Sequence, residues 1–263
     1  MSKTTVICFA NNKGGSGKST TCANVGYGLS QLGKHVLLID GDMQMNLSLS
    51  FFAEETVLEL AQNGRNVYCA VRDQKSLGDY ITSTIYPNLD LIPSSSLMSG
   101  IEYELFTKWQ REMIFTKCLK QVRESGLYDY ILIDAPPTLG AWVMNLLVAA
   151  DYLIIPVEAS PWGLFGLANM FEFFSKTQEI SPTVQMGGIV ITKVDERKNY
   201  FRQTLDTLHD MPDVHLFDTY IHVDTNIEWA QDECKPVGAF KRTCRSAKEY
   251  QQLAEEVTRL GDR

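Results

Sequence analysis

The chain has 263 residues, 44% of them hydrophobic and 21% charged, and carries a formal net charge of -8. A chain this long buries enough apolar surface to fold without staples, and its acidic balance excludes nucleic-acid binding through overall charge; any such contact needs a local basic patch. Cys8, Cys22, Cys69, Cys118, Cys234 and Cys244 form no C-x-x-C pair and no targeting peptide fits the start, so they read as free thiols of a cytoplasmic protein.

In chain order, Thr5 to Ala10 is a short apolar strand ended by a Gly-rich turn, and Ser19 to Leu32 is a helix stopped by Gly33. His35 to Asp40 and Leu89 to Pro93 are the next strands. The apolar spacing predicts one long amphipathic helix over Ile101 to Ser125. Tyr130 to Asp134 and Tyr152 to Val157 follow as strands, then a helix from Gly163 to Thr177 and a strand from Gly188 to Thr192. A helix over Tyr200 to His209, a short strand over Leu216 to Ile221 and a final helix over Arg245 to Leu260 complete the series. Phe51 to Leu77 is the least periodic segment and is expected to be a mobile insertion. The longest apolar run, Leu146 to Val157, is broken by Asp151 and too short for a membrane span. Continuous apolar strands alternating with helices predict an α/β fold, a doubly wound and mostly parallel sheet with helices on both faces, in one domain over residues 1–263.

The first turn carries Lys13-Gly14-Gly15-Ser16-Gly17-Lys18-Ser19-Thr20. The ordinary P-loop needs glycine where this chain has Asn12; the deviant form K-G-G-x-G-K-[ST] fits throughout. Gly14, Gly15 and Gly17 let backbone N–H groups turn inward around phosphate oxygens, with the N-terminus of the next helix behind them. Lys18 supplies charge to the β- and γ-phosphates and Ser19 a hydroxyl to Mg²⁺. Asp40, Asp42 and Asp134 end buried strands, where a parallel sheet opens its ligand crevice. Asp134 is assigned to hold Mg²⁺ through water, Asp42 to orient or activate the attacking water, and Asp40 to the metal's outer shell. Ala135-Pro136-Pro137-Thr138-Leu139-Gly140 is a stiff, hinged loop suited to sensing the γ-phosphate.

With these motifs in place the chain resembles the ParA/MinD superfamily, and within it the ParA/Soj partition ATPases. The D-x-D-P-Q-G-N motif stands here as Asp40 to Asn46, with Met43 and Met45 in place of the Pro and Gly. Asp129 to Gly140, Ala149 to Val157, Asp195 to Asn199 and Ala247 to Val257 match further family segments. The resemblance implies an ATPase using ATP and Mg²⁺, and a nucleotide-sandwich homodimer in which Lys13 reaches the opposite subunit's phosphates. It further implies ATP-dependent binding of non-specific double-stranded DNA on the nucleoid, and a ParB-type partner that triggers hydrolysis. With the phosphate loop starting at Lys13, no N-terminal helix-turn-helix domain is expected.

Lys235 to Lys248 carries Lys235, Lys241, Arg242, Arg245 and Lys248 with no acidic side chain. With Arg197, Lys198 and Arg202 these are the expected DNA contacts, although a family arginine used for DNA falls on Asn226. The alternative for the patch is a solvated loop beside the last helix. Thr192-Lys193-Val194-Asp195 resembles the T-K-x-D guanine motif of signal-recognition GTPases, which puts Asp195 at the base edge; ATP remains the expected nucleotide. Rival readings are a MinD-like membrane-associated ATPase, an iron-protein-type electron donor, a ligase of the dethiobiotin synthetase kind, and a mobile-element regulator acting without DNA contact.

Overall fold

Branched apolar pentapeptides form the middle of the sheet. Thr5–Phe9 (β1) and Val36–Asp40 (β2) flank Tyr130–Asp134 (β5), with Phe9 and Asp40 both in register with Asp134. A computed structural model describes residues 4–160, 163, 164, 166–211 and 214–260. Within them the remaining strands are Thr82–Ser83 (β3), Leu89–Ile92 (β4), Tyr152–Glu158 (β6) and Gln185–Thr192 (β7), giving a seven-stranded sheet in the order β3-β4-β2-β5-β1-β6-β7. Only the β3–β4 pairing is antiparallel. The α/β, mostly parallel architecture expected from the sequence is therefore the one observed.

Side chains alternate across the strands, so each apolar run supplies two cores. Ile7, Phe9, Val36 and Leu38 face Lys18–Gln31 (α1) and Arg245–Val257 (α12). Val6, Cys8, Leu37 and Ile39 lie in the opposite core, with Val67–Arg72 (α4), Ile101–Phe106 (α5), Ile114–Glu124 (α6), Ala141–Ala149 (α7) and Leu167–Ile180 (α8). Asn46–Leu49 (α2), Glu54–Gln62 (α3), Asn199–His209 (α9), Thr225–Asp232 (α10) and Val237–Phe240 (α11) complete the helices. Tyr250, Leu253, Ala254 and Val257 of α12 are buried in the α1 core, so its apolar stripe is already occupied. No helix among the described residues is long and apolar enough to cross a membrane.

Four expectations change. The helix predicted over Ile101 to Ser125 is two helices, because continuing the Ile101–Leu105 stripe would place Lys108, Trp109 and Glu112 on the core side. The chain breaks instead at Gln110, which takes the left-handed φ of 50°. The segment Phe51 to Leu77, expected to be a mobile insertion, is packed against the body of the protein: Val57, Leu60, Val67 and Cys69 to Val71 are buried. Leu216 to Ile221 holds one isolated bridge, Leu216 with Ile189, and no strand, because the carboxylate of Glu256 takes the amides of Asp218 and Thr219 at 2.8 and 3.0 Å. The helix expected from Gly163 begins at Leu167, and Phe165, inside the expected range, lies outside the described residues.

Candidate nucleotide site

The loop after β1 is pinned from both sides. Asn11 Nδ2 donates to the Pro156 carbonyl at 2.7 Å, and its Oδ1 accepts the Lys13 amide at 2.9 Å. Thr192 Oγ1, at the end of β7, donates to the Ser16 carbonyl at 2.8 Å. Gly15 and Gly17 have φ of 75° and 88°, which a side chain would strain. Gly17 is the N-cap of α1, whose first turn has neither a side-chain cap nor an acidic residue. The positive end of a fourteen-residue helix thus stands uncompensated behind the loop, as an anion site requires.

Beside the loop, Asp134 is fully buried, and neither carboxylate oxygen makes a hydrogen bond of good geometry, the Ser19 hydroxyl lying beside it. Burial raises its pKa, the neighbouring Asp40 raises it further, and the nearby Ser19 hydroxyl and Lys18 ammonium oppose them. Buried oxygens left unpaired beside a hydroxyl suit a hydrated divalent cation. Mg²⁺ is ordinarily held by one or two carboxylates with phosphate and water, so Ser19 and Asp134 fit it. Burial pulls the Lys18 ammonium below lysine's usual range, with Asp134 and Asp42 opposing, and its Nζ donates to the Lys13 carbonyl at 3.2 Å.

Asp40, expected in the metal's outer shell, also braces the turn that follows β2. One oxygen accepts Ser48 N at 2.8 Å and Ser48 Oγ at 2.6 Å, and the other accepts Asp42 N at 3.1 Å. It fixes the turn that presents Asp42, which is 5% exposed and lines the cavity over the loop. Met45, where the family motif has Gly, takes the left-handed φ of 57° in that turn. Lys13 is held within its own chain: Nζ donates to Glu158 Oε2 at 2.5 Å and Ser160 Oγ at 3.1 Å.

The cavity has a volume of about 580 Å³. Its wall includes Gly14, Lys18 and Thr20, Thr192 beside the loop, and His222, Val223 and Ile227. Asp195 is not part of that wall. Its carboxylate grips the Arg197 guanidinium at 2.8 and 2.9 Å, and that pairing holds its pKa down at about 2. His222 sits between two carboxylates, Nδ1 at 2.7 Å from Glu249 and Nε2 at 2.7 Å from Glu196. No motif in the sequence marked His222, Glu196 or Glu249; they meet only because α12 returns beside the loop after β7.

The expected DNA residues divide. Arg197 is taken up by Asp195, and Arg245 by Glu249 at 2.7 Å and Glu196 at 3.1 Å. Lys198, Arg202, Lys241, Arg242 and Lys248 are exposed. Arg242 and Lys248 line a groove of about 680 Å³ with Asn24, Tyr27 and Gln31 of α1.

A parallel sheet carrying this loop at the C-terminal ends of its strands is the architecture of the P-loop nucleotide hydrolases. Residues 4–186 match the AAA domain family. The sporulation initiation inhibitor protein Soj of Bacillus subtilis (strain 168) is 32% identical over 257 residues, 97% of this chain and 99% of that protein. The chromosome partitioning protein ParA of Caulobacter vibrioides (strain NA1000 / CB15N) is 30% identical over 253 residues, 96% and 93% of the two chains. Among solved structures, cobyrinic acid a,c-diamide synthase from Mycobacterium smegmatis with bound ATP analog and magnesium superposes with a TM-score of 0.84 at 26% identity, covering 97% of this chain and 94% of that one. The chain belongs to the ParA/Soj family of the ParA/MinD superfamily.

Proposed function

We propose that the whole chain is one ATPase domain that acts as a nucleotide-driven switch in DNA partition, using ATP and Mg²⁺. The observation that carries this reading is the deviant phosphate loop beside the unpaired, buried carboxylate of Asp134. Gly14, Gly15, Ser16, Gly17 and Thr20 cradle the phosphates, and Lys18 offsets their charge. Ser19 and Asp134 hold Mg²⁺, which supplies charge neutralisation to the phosphates when bound. Asp42 orients the attacking water. Asp195 acts at a distance from the nucleotide by setting Arg197, and Asp40 by setting Asp42. Lys13 leaves Glu158 for the partner subunit's phosphates when two ATP-loaded copies close face to face.

In this reading the cytoplasmic ATP-state dimer holds non-specific duplex DNA on the nucleoid, and a ParB-type partner stimulates hydrolysis and release. The partition role is supported by the names of the relatives, Soj and ParA. Lys198, Arg202, Lys241, Arg242 and Lys248 are exposed cations available for DNA; Arg197 and Arg245 are exposed as well, and also pair with Asp195 and with Glu196 and Glu249. Retention of non-specific duplex with ATP tests this, because phosphate contacts make binding fall steeply with salt. The reading expects retention that requires ATP and is lost on Arg242→Glu with Lys248→Glu. No retention at low salt with ATP removes DNA from the account and favours a regulator working through protein contacts.

A further inference from the structure

The T-K-x-D segment reaches the phosphate loop through its lysine, not its aspartate. β7 ends at Thr192, and the next residue, Lys193, has φ of 54°. That left-handed backbone is unfavourable for a residue with a side chain and persists only where the surroundings impose it. They do so here: Ala159 N donates to the Thr192 carbonyl at 2.9 Å, Thr192 Oγ1 to the Ser16 carbonyl at 2.8 Å, and Val194 N to the Ile221 carbonyl at 3.0 Å. The turn throws the Lys193 side chain back over the loop, with Nζ 3.9 Å from the point where a Cβ on Gly15 would stand. Lys193 is exposed and lines the same cavity as Gly14, Gly15, Gly17 and Lys18. Its charge also acts, with Lys13, on Glu158.

We propose that Lys193 is a nucleotide-binding residue, a second cation supplied in cis that meets the phosphate chain from the solvent side of the loop while Lys18 meets it from within. The proposal rests on the ATP site described above. It explains why a strained lysine stands where glycine would be free of strain: the conformation aims an ammonium at a loop built to gather phosphate oxygens. It also leaves a cation in cis at the loop once Lys13 has turned to the partner subunit.

The test is calorimetric titration of ATP and ADP, with Mg²⁺, into the full chain and its Lys193→Met, Lys193→Gly and Lys193→Arg variants, alongside the melting temperature of each without nucleotide. Losing a charge-assisted hydrogen bond to phosphate is expected to weaken binding about tenfold in the Met and Gly variants. Lys193→Arg restores most of it. The Met and Gly deficits shrink as salt is raised, because the cation is exposed. Without nucleotide, Lys193→Gly melts no lower than the parent, so its weaker binding is not a folding defect. Parental affinity in both the Met and Gly variants overturns the role given to Lys193 and leaves the ATP site standing. A parent chain that binds neither nucleotide overturns the site itself.

Discussion

Trp142 Nε1 donates to the carbonyl oxygen of Gly41 at 2.9 Å, tying the first turn of α7 to the loop that holds Asp40 and Asp42. The Gly41 amide in turn donates to the Asp134 carbonyl at 2.9 Å. Glu102, from α5, accepts the amides of Ala141 and Trp142 at 2.9 and 3.0 Å. The loop after β2 and the loop after β5 are therefore one mechanical unit, and a ligand that moves one moves the other.

Trp142→Phe keeps an aromatic ring, removes the donor and, being smaller, leaves a cavity in the core. It leaves a buried carbonyl unpaired, which costs about 1–3 kcal/mol of stability, measurable by urea unfolding. The larger effect is expected on turnover: kcat falls while ATP affinity stays within about threefold, because the loss is of loop coupling and not of a binding contact. An unchanged kcat would show that the two loops move independently.

Met45→Gly is expected to hold or raise stability, by up to about 1 kcal/mol, because glycine adopts the left-handed turn without the side-chain clash. Thermal melts of the unliganded chain report this. A fall of more than about 1 kcal/mol, which glycine's own flexibility can explain only in part, would mean that the methionine side chain supports the turn.

Lys18→Ala and Asp42→Ala separate binding from chemistry. The first removes the buried cation of the loop and abolishes tight ATP binding. The second leaves binding intact and stops turnover, since Asp42 lines the cavity without belonging to the loop. Equal ATP affinity in Lys18→Ala and the parent chain refutes the placement of the phosphates.

Asp40 gives a pH signature. Burial raises its carboxyl to about 6, against the hydrogen bonds from Ser48, while the unfolded chain titrates near 3.8. Between those values the folded chain keeps a proton that the unfolded chain has released, so stability from this group falls as pH rises from about 4 to about 6 and is level above. Asp134 is raised by burial too and acts in the same direction. Asp195 and Asp224, held down at about 2, contribute the opposite slope, lost as pH falls below their unfolded values. Urea midpoints against pH for the parent chain and Asp40→Asn isolate the term: the parent should gain stability relative to the variant as pH falls from 6 to 4. A constant difference would place the Asp40 carboxyl in its ordinary range.

The sheet was legible in the sequence because buried parallel strands are continuous apolar runs, and Ile131 to Asp134 or Leu37 to Asp40 read as little else. The phosphate loop was legible because its chemistry fixes residue type and spacing together. What was hidden depends on distant partners. The helix after Ile101 breaks because of what Lys108 and Glu112 would have to face. α7 begins where it does because Glu102, remote in sequence, caps it. Asp195 and Arg245 were read as facing ligands, and the sequence did not show that each also sits in a local carboxylate–guanidinium pair. Charge in a sequence says where a group is, not which neighbour has claimed it.

We propose a switch closed by ATP between two copies of this chain, in which Lys13 moves from Glu158 to the partner subunit. Light scattering behind a sizing column, with Mg²⁺ and either ATP or ADP, tests it most directly. Asp42→Ala should run at twice the monomer mass with ATP and at the monomer mass with ADP, and adding Lys13→Ala should return the ATP sample to monomer. A single monomer mass in every sample, with ATP shown to be bound, would contradict the account.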